Sequence, residues 1–248
     1  MSPSPEGLDL LFLGSGNAFS EGRYWSSFLV NGRYLFDCSP IAVPHLKKCG
    51  VPLPDIEVIF ISHFHGDHYF GLPFLFLEYA EKTRREKDLT IVGPQGIMER
   101  TIKITEAAYP NVFRKKDRGY GLSFQEVADG TTVDVAGVRC VARQVTHVPD
   151  LACFGYRVEI AGRTIAYSGD SVFCEPLVEL GQGADVFVVE CSGWEGPGGV
   201  HIDPAGVQEL RRRLGPTPRF ILTHLGHGEK DLQIENCVAA SDLARFSF

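Results

Sequence analysis

Short, continuous apolar runs alternate along this chain with segments whose apolar residues recur every three or four positions. Leu8–Leu13 is one such run, and it stops at Gly14-Ser15-Gly16 as a strand entering a turn does. Ser26–Val30 and Arg33–Asp37 flank Asn31-Gly32, a dipeptide suited to the left-handed backbone of a two-residue hairpin. Five runs end at a group able to bind a metal or move a proton. They are Val58–Ser62 before His63, Val138–Thr146 before His147, Thr164–Gly169 before Asp170, Ala184–Val189 before Glu190, and Phe220–Thr223 before His224. Runs without polar alternation predict strands covered on both faces. Helices are predicted over Pro40–Cys49, Leu72–Lys87, Gln95–Ala108, Glu175–Leu180 and Asp203–Leu214. The last has Asp203 as N-cap, Pro204 at the first helical position, Val207, Leu210 and Leu214 on one face, and Gly215-Pro216 as its stop. No internal repeat or linker breaks the alternation, so residues 1–248 read as one α/β domain.

Composition agrees with a packed core. Of 248 residues, 44% are hydrophobic and 22% charged, close to globular averages, which excludes wholesale disorder. A formal charge of −7 gives no overall basic surface for nucleic acid. Cysteines 38, 49, 140, 153, 174, 191 and 237 are dispersed and form no C-x-x-C, so neither a disulfide framework nor a thiolate zinc site is indicated. No apolar run reaches the roughly 18 residues that span a bilayer, and the first seven residues lack an export pattern. The expectation is a soluble, cytoplasmic protein with no membrane partner.

The chemistry concentrates in His63-Phe64-His65-Gly66-Asp67-His68. At a strand end, His63 and His65 project to one side because side chains alternate with period two, while the turn at Gly66 redirects Asp67 and His68. Neutral imidazoles and carboxylates suit zinc, and also manganese or iron. With Thr146-His147, Ser168-Gly169-Asp170 and Thr223-His224 the pattern resembles the metallo-β-lactamase fold superfamily over nearly the whole chain. That resemblance implies a four-layer αβ/βα sandwich with two divalent ions between its sheets. It assigns His63, His65 and His147 to one ion, Asp67, His68 and His224 to the other, and Asp170 to both. His45 and His227 match no motif position and are read as surface histidines.

Gly199-Val200-His201 before a helix and Val189-Glu190-Cys191-Ser192 at a strand end resemble the ribonuclease Z-like phosphodiesterase branch, although Val189 stands where histidine is usual. The likeness makes His201 a general acid or oxyanion stabiliser oriented by Glu190. It makes Asp67 both a ligand and the acceptor of a proton from the attacking water. The implied function is a metal-dependent hydrolase cleaving a small or cyclic phosphodiester or an RNA 3′ end. The alternatives are an ester, lactone or thioester hydrolase, and a non-catalytic metal-binding or di-iron redox module.

The resemblance also implies a tRNA-gripping arm, usually inserted between the third metal histidine and the bridging aspartate. Here His147 and Asp170 lie only 23 residues apart, an interval filled by the strand-like stretches Cys153–Ile160 and Thr164–Ser168. RNA is therefore less favoured than a small substrate. Two basic stretches, Lys82–Lys87 and Arg114-Lys115-Lys116-Asp117-Arg118, are the candidates for compensation. Phe70–Tyr79 is read as a buried helix behind the metal motif, with a substrate wall or a homodimer face as alternatives. Phe19, Tyr24, Trp25 and Trp194 are expected at the pocket mouth.

Overall fold

The strand-forming apolar runs of the first half of the chain divide their side chains between two cores. In Leu10–Leu13, Leu10 and Phe12 enter one hydrophobic cluster while Leu11 and Leu13 enter another; Val58 and Phe60 are likewise separated from Ile59 and Ile61. In the second half Val186 and Val188 face the shared central cluster, and Phe187 and Val189 face a third. Both faces are thus covered along these runs, which is why they show no polar alternation. Burying each large apolar side chain stabilises the fold by roughly 1.5–3 kcal/mol before entropic costs.

The computed structural model describes residues 7–114, 118–193, 199–226 and 234–248. The strands of the first half are β1 (Asp9–Gly14), β2 (Ser27–Val30), β3 (Tyr34–Phe36), β4 (Val58–Phe60), β5 (Leu89–Pro94) and β6 (Leu122–Val127). The second half supplies β7 (Thr132–Val135), β8 (Val138–Val145), β9 (Cys153–Ile160), β10 (Arg163–Tyr167), β11 (Val186–Glu190), β12 (Arg219–Thr223), β13 (Cys237–Ala239) and β14 (Arg245–Ser247). The helices are α1 (Ala42–Lys48), α2 (Gly66–Tyr69), α3 (Leu72–Glu81), α4 (Ile97–Ala108), α5 (Glu175–Gly181) and α6 (Pro204–Leu214).

Two seven-stranded sheets result, in the orders β14-β1-β2-β3-β4-β5-β6 and β13-β12-β11-β10-β9-β8-β7. Strands β3 to β6 run parallel, as do β10 to β13, and the remaining neighbours are antiparallel. The central core carries Phe12, Phe28, Phe36, Phe60, Tyr156 and Tyr167. Residues of α1 and α3 share the second cluster with the first sheet, and residues of α5 and α6 share the third with the second. This is the four-layer αβ/βα sandwich expected from the sequence. The Asn31-Gly32 and Ala161-Gly162 turns adopt positive φ throughout, at 49° and 69° and at 50° and 76°.

Helix boundaries follow their caps. The Asp203 side chain accepts the Gly206 N–H at 2.7 Å and opens α6, and Gly215 closes it at φ 71°. The helix expected over Leu72–Lys87 instead stops at Glu81, where the Lys82 and Thr83 N–H groups both turn back to the Glu78 carbonyl. Beyond it, Arg85 is not part of a solvated basic run. It is buried, donating to the carbonyls of Ile56 at 2.5 Å and Asp88 at 2.7 Å, with its guanidinium between the rings of Tyr79 and Tyr120. Arg84 and Lys87 pair with Glu86 and Asp55. Within the stretch Arg85 is therefore a structural residue, while Lys82, Arg84 and Lys87 stay exposed.

Candidate metal centre

All five marked runs end at one place because of the strand directions. Strands β8 and β10 are both antiparallel to β9, and β10, β11 and β12 are parallel, so their C-terminal ends share one edge of the second sheet. The β4 end of the first sheet is tied there by Phe154 N–H to the Ser62 carbonyl at 3.0 Å and by Tyr156 OH to the Ile61 carbonyl at 2.7 Å. The approach is close enough that a Cβ on Gly169, at φ 58°, would lie 2.5 Å from the Phe154 carbonyl oxygen, so only glycine fits before Asp170.

His63 and His65 do face the same side, with His63 Nε2 3.0 Å from His65 Nδ1. After them the chain turns directly into the one-turn helix α2, which carries Asp67 and His68. Asp170 Oδ2 lies at the centre, 3.3 Å from His68 Nε2 and from His224 Nε2, 3.7 Å from His63 Nε2 and 4.0 Å from His147 Nε2. Asp67 Oδ2 lies 3.4 Å from His68 Nε2 and 3.5 Å from His224 Nε2. The seven residues expected as ligands are all brought together. Their donor atoms fall within 4.8 Å of one another in the groups His63, His65, His147, Asp170 and Asp67, His68, His224. A third group, Asp170, Glu190, His201 and His224, overlaps both.

Hydrogen bonds fix which nitrogen each imidazole offers. Ser62 Oγ donates to Asp37 Oδ2 at 2.9 Å and accepts from His63 Nδ1 at 2.9 Å, which leaves His63 Nε2 without a proton. His68 Nδ1 donates to Asp37 Oδ2 at 2.8 Å and His147 Nδ1 to the Val200 carbonyl at 2.8 Å. Ser192 Oγ donates to the His224 carbonyl and accepts from His224 Nδ1. Four imidazoles therefore aim Nε2 inward with the other nitrogen occupied, the arrangement that orients metal-binding histidines. Asp37, Ser62 and Ser192 are absent from the expected set. Asp37 had a legible signal, a carboxylate at the end of an apolar run, like Asp170.

The electrostatics favour a cation. Burial alone would raise the Asp170 carboxyl, but His224, His68 and His63 hold it well below the usual carboxylate range. Burial disfavours a charged His63, while the carboxylates around His224 overcome its burial and push it up to about 10. Asp170 Oδ1 is buried with no hydrogen-bond partner among the described residues. A buried, ionised carboxylate oxygen without a donor is costly, and a divalent ion would satisfy it. The imidazole and carboxylate donor set fits such an ion.

Glu190 is fully buried, and its Oε1 accepts from Ser171 N–H at 2.8 Å and His201 Nδ1 at 2.7 Å. Burial alone would lower the His201 imidazole, but the bond to Glu190 holds it above its ordinary value. A cavity of about 380 Å³ opens on the cluster, walled by Asn17, Phe19, His65, Asp67, His147 and His201 among others. Of the aromatics expected at its mouth, Phe19 is there. Tyr24 packs edge-on against His45 and does not line the cavity, nor does Trp25. Trp194, His227 and Lys115-Lys116-Asp117 lie outside the described residues. His45 is not a surface residue. It is buried, with Nδ1 bonded to the Leu13 carbonyl at 2.5 Å.

A family model described as "Beta-lactamase superfamily domain" matches residues 32–225, which include the whole donor cluster. The chain belongs to this family. Among proteins similar to this beta-lactamase superfamily chain, ribonuclease Z of Methanosarcina mazei is 26% identical over 95% of the chain and 96% of its own length. The metallo-beta-lactamase fold protein YhfI of Bacillus subtilis superposes with a TM-score of 0.79 at 17% identity, covering 98% of this chain and 100% of its own. Human tRNase Z, short form, does so with a TM-score of 0.77 at 23% identity, covering 96% and 98%. The beta-lactamase superfamily chain is thus a metal-dependent hydrolase with ribonuclease Z homologues. Its seven cysteines are all unpaired, and among the described residues no helix is long and apolar enough to cross a membrane.

Proposed function

We propose that this chain is a dinuclear metal-dependent phosphodiesterase acting on a small or cyclic phosphodiester or an RNA end. His63, His65 and His147 would hold one ion and Asp67, His68 and His224 the other, with Asp170 between them. Zinc is the first choice for this donor set, and manganese or iron the alternatives. Bound there, divalent ions neutralise phosphoryl oxygens and make water nucleophilic at neutral pH. The chain's own groups complete the chemistry. Glu190 accepts a hydrogen bond from the Nδ1–H of His201 and favours the imidazolium, so Nε2 would have a proton to give. That proton passes to the leaving alkoxide as the bond from phosphorus to oxygen breaks. Asp67, on the cavity wall, would accept the proton of the attacking water.

The observation that carries this reading is His201, held by the buried Glu190, on the wall of the same cavity as the donor cluster. The ribonuclease Z relative supports an RNA end. The β9–β10 hairpin that fills the interval between His147 and Asp170, together with the charge of −7, supports a small diester. Hydrolysis of bis(p-nitrophenyl) phosphate by the zinc- or manganese-reconstituted protein is expected. His201→Ala should lower kcat by about 10²–10⁴-fold at unchanged metal content. Full activity in that variant would remove the assigned role. Lactones and thioesters assayed alongside separate the other hydrolytic chemistries.

A further inference from the structure

We propose that Phe19 determines specificity at this cavity as a stacking platform for a nucleobase carried by the substrate, a claim that rests on the phosphodiesterase reading. Phe19 is 90% exposed, the largest value among the exposed large apolar residues. A single apolar residue on a surface is ordinary. What distinguishes Phe19 is its address and its anchoring.

Its address is the cavity that also carries His65, Asp67, His147, Asp170 and His201. Ala18, Val148 and Val200 add apolar surface to the same walls. The same walls therefore carry groups suited to holding a phosphate through metal ions and apolar surface suited to an uncharged group. An open ring face offers little to an aliphatic group, which gains most from enclosure. It offers a full contact surface to another planar ring.

Its anchoring ties the loop to the donor cluster. Leu225, the residue after His224, accepts from Asn17 N–H at 3.3 Å, donates its own N–H to the Ser15 carbonyl at 2.8 Å, and accepts from Ser20 Oγ. The Phe19 N–H donates to Asn17 Oδ1 at 2.9 Å. Behind the loop the Asp242 carboxylate accepts from Ser15 N–H, Ser15 Oγ and Tyr24 N–H. The loop backbone is thus held in a fixed relation to His224. With the backbone held, only the side-chain rotamers of Phe19 remain to be ordered when a base stacks on its ring.

The test is calorimetric titration of the zinc-reconstituted full chain with adenosine 3′- and 5′-monophosphates and with inorganic phosphate. Phe19→Ala is expected to weaken at least one nucleotide by roughly 5- to 150-fold, the range for losing one base-aromatic stack, and to leave inorganic phosphate unchanged. Phe19→Trp should restore the nucleotide. Equal weakening of nucleotide and phosphate would show a loop that merely supports the metal cluster and would overturn the proposal, as would no weakening at all. Diester hydrolysis by the wild type, measured separately, keeps the two readings apart. Turnover with Phe19-independent nucleotide binding defeats the stacking proposal alone. Phe19-dependent binding without turnover upholds the platform and defeats the phosphodiesterase reading.

Discussion

Asp37 governs two histidines without belonging to the ligand set. Its Oδ2 accepts from His68 Nδ1 at 2.8 Å, Ser62 Oγ at 2.9 Å and Tyr167 OH at 2.7 Å, and its Oδ1 accepts from Ser62 N–H at 2.7 Å. Through Ser62 the same carboxylate settles the proton of His63. Asp37→Asn keeps the size and tolerates the left-handed backbone at φ 53°. The amide removes the charge and puts an N–H where an acceptor stood, so either His68 or Ser62 loses its partner. Zinc affinity should fall about 10–100-fold, as for loss of other groups that orient metal-bound histidines. Competition with a chromophoric chelator measures it, and wild-type affinity would show that Asp37 serves packing alone.

At the scale of elements, the segment after α3 separates structural charge from surface charge. Arg85 is buried, supplies donors to the Ile56 and Asp88 carbonyls and lies against two aromatic rings. Arg85→Met strands those carbonyls and should cost about 2–4 kcal/mol in urea unfolding. Lys87→Ala breaks a half-exposed pair with Asp55 and should change stability by less than about 1 kcal/mol. Equal effects would contradict the distinction. The same contrast explains what sequence could and could not tell. Strands β4 and β11 were legible because burial on both faces writes a continuous apolar run, and their ends were legible as site positions because parallel strands deliver them to one edge. Arg85 and His45 were not, since the carbonyls that accept from them, Ile56 and Leu13, stand about 30 residues away in the chain. Edge strands β13 and β14, three residues each, are too short for a period to register.

For the whole molecule, the candidate centre is also a joint between the two sheets. His63, His65, Asp67 and His68 follow β4 of the first sheet, whereas His147, Asp170 and His224 follow β8, β10 and β12 of the second. Ions held by both sets would bind the folded chain and find no comparable site in the unfolded one, so their binding energy would add to folding stability. At metal concentrations near 1,000 times Kd the gain is about 4 kcal/mol, or roughly 8–16 °C in Tm for a chain of this length. Thermal unfolding with and without a chelator should show that drop, and added zinc should reverse it. His147→Ala, which removes a donor of the second sheet, should shrink the metal-dependent shift more than it lowers the Tm of the stripped protein. A Tm indifferent to both chelator and zinc would mean that the cluster satisfies its buried charges by pairing histidines with carboxylates, and that the sheets are held together by their shared aromatic core alone.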